Sequence, residues 1–241
     1  MKNPSNRRKF LKKAALFGAA PMIVPSSVLG LGDKVAPSNR ITVGGIGLGP
    51  RGRKVLSSFL AQPDCRFVAI ADPQKERREI IKRMADRQYE NTDCVTYDDM
   101  SGVLERDDID AVVIATGDRW HTTASVYAAR AGKDIYCEKP CAMNMQECRE
   151  LDEEVTKHKR VFQAGTQRRN VGNFGLAQDL AKTGKLGNMT AVHAGILALQ
   201  DYLEPLPEEP LPDPEIVNWD KWVGPAPMKP YNAEYCKGRW R

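Results

Sequence analysis

The sequence predicts an α/β fold, a doubly wound parallel sheet, followed by the incomplete start of an α+β domain. Three observations carry this. From Arg40 to Gly165, short apolar runs alternate with segments of helical period. The connections between them are short, as in strand–helix–strand units. And the runs "DAVVIAT" and "DIYCE" read as central parallel strands, covered on both faces. Together they specify a Rossmann-type sheet.

Taken in order, "RITVGGIG" is a compact β-branched first strand. "RKVLSSFLAQ" follows with Val55, Leu56, Phe59 and Leu60 at helical spacing. "CRFVAIAD" is the second strand, and residues 74–87 form a highly charged helix with a narrow apolar face of Ile80, Ile81 and Met84. "CVTY" is a short third strand. Between the fourth strand, "DAVVIAT", and the fifth, "DIYCE", the helix "TTASVYAARAG" is closed by Gly132, the usual left-handed cap residue. Asn144 and Glu147 form an N-terminal capping pair for a helix running to about Lys159. "RVFQAG" is the sixth strand. A further helix, "FGLAQDLAKTG", a strand, "NMTAVHAGIL", and a proline-rich stretch from Glu204 to Pro214 come next. The chain finishes "NWDKWVGPAPMKPYNAEYCKGRWR", whose aromatics have no element to pack against on this reading. The division is therefore residues 1–34 as a leader, 38–165 as the nucleotide-binding domain, and 166–241 as the truncated start of a substrate and oligomerisation domain.

The chain has 241 residues and a formal charge of +5, but residues 1–34 hold seven Lys/Arg and one Asp. The remainder carries 29 basic and 30 acidic residues, which removes the case for a nucleic-acid partner. The leader, with adjacent Arg7 and Arg8, then Phe10-Leu11-Lys12 and a mildly apolar stretch, resembles a twin-arginine export signal. It predicts passage through the twin-arginine machinery to the periplasm, with a membrane anchor if the leader stays uncleaved. Six cysteines (Cys65, Cys94, Cys137, Cys141, Cys148, Cys236) form no CxxC pair or zinc-like pattern, so packing roles and no metal are expected.

Gly47, Gly49 and Gly52 form G-x-G-x-x-G between the first strand and the helix after it. Asp72, twenty residues past Gly52, ends the second strand. This context makes the motif a dinucleotide site: the glycines admit a tight turn and close approach of a pyrophosphate to a helix N-terminus. Arg51 adds a cation to the turn. The Asp72 carboxylate can accept both ribose hydroxyls and repels a 2′-phosphate, and Pro73 follows it in place of an arginine. NAD is favoured over NADP.

Glu138-Lys139-Pro140 falls at the carboxyl end of the fifth strand, the edge where open α/β sheets bind ligands. With this triplet, "ATGDRWH", "AGTQRRN" and "NWDKWVGPAPMKPYN", residues 40–241 resemble the Gfo/Idh/MocA family of oxidoreductases. The resemblance implies that Lys139 lies between nicotinamide and substrate hydroxyl as the catalytic residue. It implies that Glu138 holds the lysine and ribose, that Thr116 and His121 line the nicotinamide side, that Gln167 contacts cofactor, and that Arg169 meets substrate. The implied function is NAD-dependent hydride transfer from a sugar or polyol carbinol. NAD-dependent glycosidases of the same family, or a non-catalytic cofactor-binding fragment, are the alternatives, and full-length relatives are homo-oligomers.

Two departures stand out. Gly117 and Arg119 replace the proline and first histidine of the family's usual Thr-Pro-Asp-His-Trp-His loop. The family's base is a histidine in Asp-x-x-x-His, but Glu154 precedes His158 and Met189 precedes His193 at that spacing. A truncated chain lacking the base is the expectation.

Overall fold

The computed structural model describes residues 35–193, 195 and 205–237. The predicted leader and the last part of the predicted strand 188–197 lie outside them. A compact unit that begins at Ile41 contains the sheet.

Six strands, β1 (Ile41–Ile46), β2 (Cys65–Ala71), β3 (Val95–Tyr97), β4 (Ala111–Ile114), β5 (Asp134–Glu138) and β6 (Phe162–Gly165), form one sheet. Its order is β3-β2-β1-β4-β5-β6. Every pairing is parallel. Five helices connect them: α1 (Pro50–Leu60), α2 (Lys75–Tyr89), α3 (Ser101–Leu104), α4 (Asp118–Arg130) and α5 (Met145–Lys157). The order reverses direction between β1 and β4, which opens a crevice at their carboxyl ends. Two apolar layers fill the faces of the sheet. Leu56, Phe67, Ile70 and Ile81 lie in one, and Val103, Val112, Ile114 and Ala128 in the other.

Local chemistry explains the element ends. Pro50 opens α1 at a position where the missing N–H costs nothing. Asn144 caps α5, its Oδ1 accepting from Glu147 N at 2.9 Å, while its amide donates to Glu147 Oε1 at 2.8 Å. Gly132 follows α4 with φ +75°, the left-handed conformation expected there.

Two expectations for the C-terminal part need correction. Residues 188–193 carry no strand and are exposed; an edge segment with no partner strand has nothing to satisfy its backbone but water. The terminal aromatics do find packing. Around α7 (Trp219–Val223) and α8 (Ala233–Cys236), Trp219 stacks on Trp222 with centroids 4.6 Å apart and meets Tyr231 edge-on at 5.1 Å. Trp219, Val223 and Tyr235 form a small buried core. This segment is fastened to the sheet edge: Val217 bridges Gln74, Ile216 O accepts from Lys75 N at 2.9 Å, and Pro73 O accepts from Asn218 N at 3.1 Å. The helix between, α6 (Gly172–Lys182), has no buried residue.

Candidate functional site

The glycine turn sits in the crevice. Gly47 has φ +65°, and a β-carbon there would stand 2.2 Å from Thr116 Cγ2, so β1 and β4 can run together only if this residue is glycine. A β-carbon on Gly52 would stand 2.9 Å from Leu48 Cβ and Cδ2 and 3.2 Å from Ala115 Cβ, so glycine keeps α1 tight on the turn and on the end of β4. The result is a turn without β-carbons at Gly47, Gly49 and Gly52, at the N-terminus of an 11-residue helix, where unpaired N–H groups favour an anion. Arg77, on α2, lies over Gly49, its Nη1 2.9 Å from where a β-carbon would be.

Asp72 is 3% exposed at the end of β2, where its Oδ1 accepts from Gln74 N at 2.9 Å. Burial pushes its carboxyl up to about 6, against the opposing pull of Arg77, the Gln74 N–H and Arg78. Asp72, Arg77 and Thr116 share a cavity with Trp120, Lys221 and Trp222. Its far wall comes from the C-terminal segment. Arg119 lies over the Trp222 ring at 4.1 Å and donates to Val223 O at 2.8 Å and to Trp222 O. Lys221 Nζ contacts Asp98 at 2.7 Å and Asp99 at 3.3 Å. Arg77 donates to Cys236 O.

On the other side of the switch point lies a second cleft, lined by Thr116, Asp118, His121, Glu138, Lys139 and Arg168. Glu138 is buried, and its Oε1 accepts from Arg51 Nε at 3.0 Å and from Gln167 Nε2. Arg51 thus faces Glu138 rather than the turn alone. Lys139 is exposed at the cleft mouth. The Lys139–Pro140 bond is cis. His121, 1% exposed and four residues into α4, holds the turn from beneath: its Nδ1 lies 2.6 Å from Pro140 O. Because a carbonyl only accepts, Nδ1 carries the proton, and Nε2 is left buried without a partner. Thr122 Oγ1 donates to Cys141 O at 3.0 Å. Asp118 is half-buried; desolvation raises its proton affinity, opposed by His121, Lys139 and Arg119.

The structure therefore brings Arg51, Glu138, Lys139, Gln167, Thr116 and His121 to one place. It separates Arg169, which lines a neighbouring hollow with Lys54 and Tyr136, from Arg168, which faces the Lys139 cleft. Sequence reasoning missed Arg77, Asp118 and Trp222. Asp118 and Trp222 sit inside stretches already singled out; Arg77 had no signal, since only the packing of α2 brings it to Asp72. His158 is 3.4 Å from Glu154 on α5, outside either cleft.

The cradle suits a pyrophosphate and the buried acid a ribose, so the residues present fit a dinucleotide. Comparison with known proteins agrees. The chain is 31% identical over 159 residues to a glycosyl hydrolase family 109 protein of Solibacter usitatus, covering 61% of this chain and 35% of that one. It is 26% identical over 146 residues to the myo-inositol 2-dehydrogenase of Thermotoga maritima, covering 60% and 42%. The chain spans less than half the length of these curated relatives. The fold matches a scyllo-inositol dehydrogenase of Lactobacillus casei, solved with NAD(H) and scyllo-inositol, at TM-score 0.56 and 23% identity, over 63% of this chain and 43% of that one. A family model described as an oxidoreductase family with an NAD-binding Rossmann fold matches residues 41–166. This chain belongs to that family, the Gfo/Idh/MocA oxidoreductases.

Proposed function

We propose that the chain is the NAD-binding part of an oxidoreductase acting on a sugar or polyol. One observation carries the reading: exposed Lys139 follows a buried, doubly held Glu138, and one of the two groups holding it, Arg51, belongs to the glycine motif. Gly47, Gly49 and Gly52 would receive the pyrophosphate, Asp72 the adenosine ribose, and Thr116 and Glu138 the nicotinamide end. When bound, NAD supplies a hydride acceptor. Lys139, with three donors and no acceptor, orients a substrate hydroxyl and favours loss of its proton. An ammonium cannot take that proton. Asp118 is the carboxylate on the same cleft with raised proton affinity, and neither His158 nor His193 lines it.

The test has two stages. Nicotinamide fluorescence titrations should give tighter binding of NADH than NADPH, with the preference narrowed in Asp72→Ala. NADH production from a panel of inositols and hexoses should then fall about 10²-fold or more in Lys139→Ala. Tighter binding of NADPH by the unaltered chain would overturn the placement of Asp72.

A second reading, an NAD-dependent glycosidase, is favoured by the family 109 relatives, among them one of Shewanella at 32% identity over 164 residues. Such an enzyme releases aglycone without accumulating NADH, so following both products separates the two. For residues 1–34 we retain export through the twin-arginine route: changing Arg7 and Arg8 to Lys should hold the protein inside the cell. Association of full-length subunits is part of the same proposal, checked by light scattering.

A further inference from the structure

Cys137 and Cys141 flank Glu138-Lys139-Pro140, and neither has a part in nucleotide binding. Along an extended strand, residues four apart stand about 13 Å from each other. Here the chain turns back after Glu138. Cys137 Sγ lies 3.4 Å and Cys141 Sγ 3.8 Å from the same atom, the carbonyl oxygen of Glu138. Cys141 Sγ is also 4.0 Å from Cys137 O. Two thiols thus converge on one acceptor, with Thr122 holding the Cys141 carbonyl in place. They belong to no group of three or more metal-ligating residues among the described residues.

We propose that Cys137 and Cys141 are a dithiol–disulfide couple, a reversible oxidation site that closes a ring around Glu138-Lys139-Pro140 and takes a low-molecular-weight disulfide as oxidant. The two thiols are unequal. Cys137 is fully buried, whereas Cys141 is half-buried and the more exposed of the two. Their mutual interaction lowers the Cys141 thiol and, together with burial, raises Cys137. Cys65 and Cys94 are pushed up to about 11 and about 12 by burial and stay inert.

The chemistry balances. The Cys141 thiolate attacks one sulfur of glutathione disulfide; the S–S bond breaks, and one glutathione thiolate leaves and takes up the proton that Cys141 released. Cys137 then attacks the Cys141 sulfur, giving its proton to the second departing glutathione. Two protein thiols lose two electrons, and one disulfide becomes two thiols.

The test uses the 241-residue chain carrying Cys148→Ser, which removes the exposed thiol of the same tryptic peptide. Trypsin does not cut Lys139–Pro140, so both cysteines remain on residues 134–149. After treatment with glutathione disulfide, that peptide should be lighter by two hydrogens, resist alkylation, and regain two alkylatable thiols with dithiothreitol. With Cys137→Ala added, glutathione should remain attached to Cys141; with Cys141→Ala instead, Cys137 should stay unmodified. A peptide that keeps two alkylatable thiols, or glutathione found only on Cys65, Cys94 or Cys236, would overturn the proposal. None of these readouts depends on nucleotide binding, so failure here leaves the cofactor reading standing.

Discussion

Helix α6 and the segment 205–237 both follow the last strand, and both carry enough apolar side chains to bury. In α6, Phe174 is 45% exposed and Leu176 61%. In the other segment, Trp219 is 6% exposed and Val223 1%. The difference is in what each can lean on. A single amphipathic helix needs a facing surface, and α6 has none among the described residues. The terminal segment brings its own: two stacked tryptophans, Tyr231 and Tyr235 fold over one another, and backbone bonds to Pro73 and Lys75 dock the cluster on β2's end. That docking also walls the Asp72 side of the crevice, whereas the Lys139 side is built without it. Apolar content alone does not predict burial; a partner surface does.

The strongest test of this contrast is Trp219→Ala. Removing a buried tryptophan from a three-residue core should cost about 3–5 kcal/mol, seen as a lower urea midpoint. An unchanged midpoint would place the segment on the same footing as α6.

Next in size is a pH effect at Asp72. Its folded pKa, about 6, lies above the ordinary carboxylate value of 3.8. Between these values the unfolded chain ionises first, so the stability Asp72 contributes is full below about pH 4 and is lost as pH rises to about 6. The loss is at most about 3 kcal/mol, at ~1.4 kcal/mol per unit. Asp72→Asn should flatten the profile of stability against pH. Trp222→Ala, by letting water into the shared cavity, should narrow the window from its upper end; a window that stays put would separate the segment from Asp72's burial.

Asn218→Ala removes the acceptor that caps α7, where Oδ1 takes Lys221 N at 3.1 Å. The expected cost is about 1 kcal/mol in the same unfolding assay. Smallest of all, Leu176→Ala should stay within ~0.5 kcal/mol of the parent, as exposed substitutions do. A larger loss would show α6 to be covered in solution.

Much of the sheet was legible because its signals are local. Gly47 and Gly52 need no knowledge of the fold to mark a tight turn, and the Asn144–Glu147 cap is complete within four residues. The site was legible only in outline. Arg51 meets Glu138 across 87 residues of chain, and no spacing announces that pairing. Arg168 and Arg169 are neighbours in sequence, yet a single 3₁₀ turn, Gln167–Asn170, sends them to different hollows.

The sequence by itself therefore determined the strand–helix alternation, the glycine cradle, the acid at the end of β2 and the position of Lys139 at a strand terminus. Each follows from periodicity or from backbone freedom within a few residues. Tertiary structure alone decided that β1 lies beside β4, that Glu138 is pinned by Arg51 and Gln167, that Trp222 and Arg77 enclose Asp72, and that two thiols meet at one carbonyl. Those outcomes depend on which surfaces exclude water together, and burial is a property of the assembled sheet rather than of any stretch of chain.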